Sequence, residues 1–199
     1  MMRILYFLSM LITWPFVVMA QDDYFASMSD HRFNYKKELV AVIKDDTSFI
    51  SFFEILPAYR IQADYKALKN QPVFNMNTSS GKSKQAQKIG IVEFSLQGKK
   101  YQLSAYQLLA LRTDPEHQDY FFIPFTDASS GEESYGAGRY LDFKLSDIKN
   151  GNTLIIDFNK AYNPYCAFVD GYNCPIPPSE NQLAVAIRAG EKSYAKKWK

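Results

Sequence analysis

The chain has 199 residues, 47% hydrophobic and 22% charged, with 23 Lys+Arg against 21 Asp+Glu. That is the size and balance of one globular domain and lies far from a disordered composition. The near-neutral charge argues against electrostatically driven nucleic-acid binding, so no nucleic-acid partner is expected.

Met1, Met2 and Arg3 form a short positive start, followed by an apolar stretch to Val18 that Ser9, Thr13, Trp14 and Pro15 interrupt. Val18-Met19-Ala20 then presents small residues at the two key positions of a cleavage site, ahead of the polar Gln21-Asp22-Asp23. This is the pattern of a cleavable signal peptide over residues 1–20. The expected product is exported, periplasmic or extracellular, with no integral membrane span after processing. An uncleaved membrane anchor is the alternative. Residues 21–199 are read as a single β-rich domain whose segment 21–48 is helical.

In residues 29–44, Tyr35, Leu39, Val42 and Ile43 recur at helical spacing, with Ser29 as the expected N-cap. After Pro57 the period becomes two: Tyr59, Ile61, Ala63 and Tyr65 alternate with polar residues, as in a half-buried strand. Residues 77–88 read as a polar loop, and 89–96 with 99–106 as a hairpin around Gln97-Gly98. Further strands are expected at 120–125, 140–145 and 153–158, the last two joined by a turn containing Asn150-Gly151-Asn152. Leu183, Val185 and Ile187 alternate in a final strand. One helix followed by about eight short strands predicts a mainly β fold: a single antiparallel β-sandwich or barrel-like domain with an N-terminal helix.

Familiar chemistries find little support. His31 and His117 are the only histidines. Neither has a partner at metal-ligand spacing, so no metal is expected. There is no Gly-x-Ser-x-Gly elbow. Gly81-Lys82-Ser83 resembles the end of a phosphate-binding loop, but Met76 stands where its first glycine belongs. Gly136-Ala137-Gly138 is too short for a dinucleotide fingerprint, and no cofactor is expected. Asn77-Thr78-Ser79 is a formal glycosylation sequon. The lysines at 192, 196, 197 and 199 read as a solvated basic tail.

The unusual residues lie in two loops. Residues 126–139 hold Asp127, Glu133, Tyr135, three glycines and Arg139, followed by Tyr140 and Asp142. Residues 159–182 hold Asn159, Tyr162, Asn163, Cys166, Cys174, four prolines and Glu180. So long an irregular connection is usually functional or tied down. Asp157-Phe-Asn-Lys-Ala-Tyr-Asn-Pro-Tyr-Cys166 and Cys174-Pro-Ile-Pro-Pro-x-Glu-Asn181, with residues 131–142, resemble the signature of a bacterial family known as domain of unknown function (DUF) family 1684. The resemblance covers residues 85–190; residues 45–58 look shortened against the family pattern. It implies no established activity, cofactor or partner. The residues that match are Asp127, Glu133, Tyr135, Gly138, Arg139, Tyr140, Asp142, Asp157, Asn159, Tyr162, Asn163, Cys166, Cys174 and Glu180.

The leading expectation is an exported, non-catalytic β-domain that binds a small molecule, glycan or protein partner through these loops. The candidate binding residues are Asp127, Glu133, Tyr135, Arg139, Tyr140, Asp142, Asn159, Tyr162, Asn163 and Glu180. A carboxylate-dependent hydrolase using a pair such as Asp127 and Glu133 is the alternative, with a structural envelope protein as a third. The two loops are expected to meet, with Arg139 facing carboxylates and amides from both. Cys166 and Cys174 are expected to form a disulfide, as an isolated pair in an oxidising compartment would; two buried free thiols are the alternative.

Overall fold

The computed structural model describes residues 14–195, so the first thirteen residues of the expected signal peptide and the end of the basic tail lie outside it. Helix α1 (Trp14–Ile43) starts well before the expected N-cap. Ser29 lies in its interior, where its hydroxyl donates to the Phe25 carbonyl at 2.9 Å. A serine hydroxyl turned back one turn satisfies itself inside a helix and need not mark a boundary. The apolar stripe is correctly read: Leu39 and Ile43 are buried against Ile50 and Phe168, with Tyr35 and Val42 beside them.

The body is mainly β. Strands β1 (Arg60–Ala67), β2 (Val73–Asn77), β3 (Ser83–Leu96), β4 (Lys99–Leu108), β5 (Tyr120–Phe125), β6 (Arg139–Lys144) and β7 (Thr153–Asp157) form one sheet. The order is β6-β5-β4-β3-β1-β7, with β2 also on β3, and every pair is antiparallel. The sheet curls into a half-barrel, the barrel-like form of the expected fold. Gln97 and Gly98 make the β3–β4 turn with φ of 51° and 76°, the left-handed pair that a two-residue hairpin requires.

Three expected elements differ. The expected polar loop 77–88 is a loop only as far as Lys82; from Ser83 it is strand. Its polar side chains face water while Ala86 alone is fully buried, as on the wet face of an antiparallel sheet. The turn at 150–152 does not pair the strands around it, because β6 lies on β5 and β7 on β1. The final strand is absent. Leu183 and Ile187 do enter the core, so the alternation is real. However, the carbonyls of Ile187, Ala189 and Glu191 turn to a buried guanidinium instead of a neighbouring strand.

The main core lies inside the curl, where Val92, Leu103, Phe121, Ile123, Phe125, Leu154, Ile156 and Phe158 pack together. A smaller aromatic cluster of Tyr106, Phe122 and Tyr140 lies on the other face of β4–β6. Gly90 makes room for the Tyr65 ring of the neighbouring strand β1, since a Cβ there would collide with it.

Candidate functional site

The sequence-predicted residues divide into separate sets. Arg139 and Asp127 are wholly buried as a pair at 2.8 Å. The Arg139 guanidinium also donates to the carbonyls of Ala189 (2.6 Å), Ile187 (2.8 Å) and Glu191 (3.1 Å). Phe125 and Phe53 sandwich its faces. Asp127 accepts further bonds from Ser129 and from the Ile187 amide. With every Asp127 partner internal, the pair locks residues 126–139 onto 187–191.

The loops 126–139 and 159–182 do touch: the Thr126 amide donates to the Asn181 carbonyl, and the Tyr135 hydroxyl meets Cys166. Arg139, though, takes nothing from the second loop; its partners follow that loop. Asn159 instead closes on Leu56 and Asp157. Asn163 binds Glu191 and the Lys192 carbonyl, and Asn181 staples β4 to β5 through Ser104 and Pro124. Glu180 pairs with Lys88 and accepts from Tyr106. Glu133 bridges to Arg188 at the surface, so Asp127 and Glu133 do not form an open carboxylate pair.

One expected residue stands apart. Asp142 follows Arg139 by three positions on β6, and strand alternation turns it to the opposite face. The Tyr120 hydroxyl donates to Oδ1 at 2.8 Å; the Tyr162 hydroxyl reaches Oδ1 at 2.9 Å and Oδ2 at 2.8 Å. The placement is local geometry. Phe122 pairs with Asp142 in register, which sets Tyr120 and Tyr140 on the same face. An isolated bridge between Tyr140 and Tyr162 brings the second loop alongside.

Asp142 is reached by solvent yet crowded by protein, and this burial raises its carboxyl above the ordinary range, partly offset by the two tyrosine bonds. Among the described residues it has no ion-pair partner. It lines three adjoining cavities. One of about 340 Å³ is walled by Leu108, Tyr120, Phe122, Tyr140, Tyr162 and His117. A second of about 260 Å³ lies against α1, with His31, Tyr35 and Tyr165, and a third of about 320 Å³ runs towards Arg60 and Lys149. Tyr120 stacks on Phe122 at an interplanar angle of 7°, and Tyr140 meets both Phe122 and Tyr162 edge-on.

Sequence reasoning missed Tyr120, Tyr35, His31 and His117 as cleft residues. The available signal was parity: Tyr120 and Phe122 on β5, like Tyr140 and Asp142 on β6, share the face away from the main core. His117 is held in the cleft wall. Its Nδ1 is 2.8 Å from Asp114, and its ring meets Tyr120 edge-on.

Cys166 and Cys174 are both free thiols, so the expected disulfide is not formed. Among the described residues no group of three or more His, Cys, Asp or Glu side chains is arranged to hold a metal ion.

Fold and cleft thus define a class: a single curled antiparallel sheet, braced by one helix, with an aromatic cleft around a carboxylate on its outer face. The chain belongs to the protein family of unknown function DUF1684, whose profile matches residues 46–192. That match takes in most of the segment that looked shortened. The solution NMR structure of the uncharacterized protein from gene locus rrnAC0354 of Haloarcula marismortui is similar, with a TM-score of 0.67 and 25% identity. The alignment covers 90% of this chain and 99% of that one. A comparison with curated proteins gives no match.

Proposed function

We propose that this chain is exported and that its β-domain binds a small organic cation, an ammonium-bearing ligand, in the cleft around Asp142. The observation that carries the reading is the Asp142 carboxylate: crowded, reached by solvent, held by two tyrosines and, among the described residues, without an ion-pair partner. A carboxylate crowded by protein and without an opposite charge beside it gains from an incoming positive charge. The partly exposed rings of Tyr120 and Tyr162, backed by the buried Phe122 and Tyr140, add the cation–π attraction that recognises ammonium groups. The tyrosine hydroxyls hold the carboxylate in place before the ligand arrives, which lowers the ordering cost of binding.

The export part rests on residues 1–20, and cleavage after Ala20 keeps Tyr24 and its bonds to Asp157 on the mature chain. N-terminal sequencing of the envelope fraction should begin at Gln21; an intact Met1 would refute export by cleavage. For binding, calorimetric titration of residues 21–199 with primary and quaternary amines should show saturable uptake. Asp142→Asn should weaken it at least tenfold, about 1.4 kcal/mol. Protonation removes the charge, so affinity should fall as pH drops through the raised Asp142 titration. Uptake of methyl glycosides but not amines would replace this reading with a glycan site.

A carboxylate-dependent hydrolase is the second reading, favoured by the Asp114–His117 pair on the wall of the same cleft. There His117 would serve as base and Asp142 as proton donor. It requires turnover that both His117→Ala and Asp142→Asn abolish.

A further inference from the structure

The two cysteines lie outside the Asp142 reading and form a site of their own. They are eight positions apart in a loop whose other features are prolines and 3-10 turns, and the fold brings them into contact. The Cys166 amide donates to Cys174 Sγ at 3.4 Å. The two sulfurs are unequal. Cys166 is half-buried, at the edge of solvent, whereas Cys174 is buried.

Side-chain donors converge on Cys166, whereas Cys174 receives only the Cys166 amide. The Cys174 S–H gives the largest effect, and the Tyr135 hydroxyl approaches the sulfur at 3.9 Å, with Ser79 beside the pair. Ser79 is itself fixed, accepting from the Cys174 amide at 3.1 Å and donating to the Tyr172 carbonyl at 3.1 Å. Its backbone amide also donates to the Cys174 carbonyl, so the β2–β3 turn is clamped beneath the pair. Hydrogen bonds to a sulfur favour its charged form. They bring the Cys166 thiol down to about 6, while the same contact and burial push the Cys174 thiol up.

We infer that Cys166 and Cys174 form a thiol–disulfide exchange site, with Cys166 as the attacking thiolate and Cys174 as the resolving thiol, whose co-reactant is a small or protein disulfide. The Cys166 thiolate attacks one sulfur of RS–SR′, making a mixed disulfide and releasing R′S⁻. Cys174 then gives up its proton to the departing RS⁻ as its sulfur attacks Cys166. The products are the Cys166–Cys174 disulfide, RSH and R′S⁻, so two electrons pass from the dithiol to the co-reactant. The loop between the cysteines is short, and the exposed rings of Tyr165, just before it, and Tyr172, within it, meet edge-to-face. Exchange at this site needs nothing from Asp142 and fails or holds independently of the cleft.

The test uses the reduced full chain and oxidised glutathione, read by intact and peptide mass spectrometry. Wild type should pass through a single glutathione adduct to a Cys166–Cys174 cross-link. Cys174→Ser should stop at one adduct on Cys166, and Cys166→Ser should react at least tenfold more slowly. A second measurement on wild type guards against misfolding of the variants. Iodoacetamide at pH 6 should label Cys166 about tenfold faster than a solvent cysteine, after allowing for the lower nucleophilicity of a low-pKa thiolate, and should spare Cys174. Preferential labelling of Cys174, labelling of both thiols only above pH 8, or an adduct that never resolves would overturn the inference.

Discussion

Arg139 and Asp142 are opposite charges three residues apart on β6, yet the molecule treats them in opposite ways. Arg139 faces the inside of the curl, where its two terminal nitrogens meet one carboxylate and three carbonyls and two phenyl rings cover its faces. Asp142 faces outward, receives only tyrosine hydroxyls and keeps an open approach. A strand's period of two is enough to send one charge into structure and the other into a cleft. The lesson is that charge and loop composition do not separate structural from binding groups. What separates them is whether the charge already meets an opposite charge inside the protein, as Arg139 meets Asp127 and Asp142 meets none among the described residues.

The sharpest way to break the comparison is to remove the inner charge. Arg139→Ala strands Asp127 in the core and leaves three carbonyls without their donor, so urea unfolding should show a loss of about 3–5 kcal/mol. A loss below about 1 kcal/mol would mean that the inner charge is not structural.

Glu191 sharpens the same contrast, because it is a second wholly buried acid in the inner network. The Tyr35 hydroxyl (2.7 Å) and the Asn163 amide (2.8 Å) both bond Oε2, and Oε1 finds no hydrogen-bond partner among the described residues. Burial raises its carboxyl from 4.5 to about 7, opposed in part by the Asn163 and Tyr35 bonds and the nearby Arg139 charge. The folded state therefore keeps this proton where the unfolded chain releases it. Stability should fall as pH rises from about 4.5 to about 7 and then level off, an effect of about 3 kcal/mol. Glu191→Gln mimics the neutral acid, so the slope should vanish and the variant should be the more stable protein at pH 8. Denaturant melts at four pH values would decide it; an unchanged slope would contradict the assignment.

Gly138 should matter less. It holds φ of +96° directly before Arg139, and a Cβ would lie 2.6 Å from the Phe125 carbonyl oxygen and 2.7 Å from Pro177. Gly138→Ala should cost more than about 1 kcal/mol in the same unfolding assay. The smallest effect on stability belongs to the outer charge. Asp142→Asn keeps an acceptor for the tyrosines, so its unfolding free energy should stay within about 1 kcal/mol of wild type.

The elements that period and turn chemistry specify were legible in the sequence. Tyr120–Phe125 is one strand as expected, and the Gln97-Gly98 hairpin follows from the two positive φ angles it needs. The failures have one physical origin, in that strand assignment depends on where hydrogen bonds go as well as on which side chains are apolar. Residues 182–191 alternate like a strand but give their carbonyls to Arg139. Residues 83–88 look like a loop but complete a ladder on a wet face. The same limit applies to the site. That Arg139 would be paired with a carboxylate was legible from the cost of lone charges; that the partner is Asp127 was not. Asp142 was named beside nine other polar residues, and only the pairing of β5 with β6 and the Tyr140–Tyr162 bridge show that Tyr120 and Tyr162 converge on it.

The most direct test of the division between inner and outer charge is an NMR titration of residues 21–199 with tetramethylammonium, on wild type and on Asp142→Asn. The account predicts saturable shifts concentrated at Tyr120, Phe122, Tyr140, Asp142 and Tyr162, absent from the variant while its spectrum stays that of a folded protein. Shifts that survive the substitution, that map to residues 126–139 instead, or that never appear would contradict it.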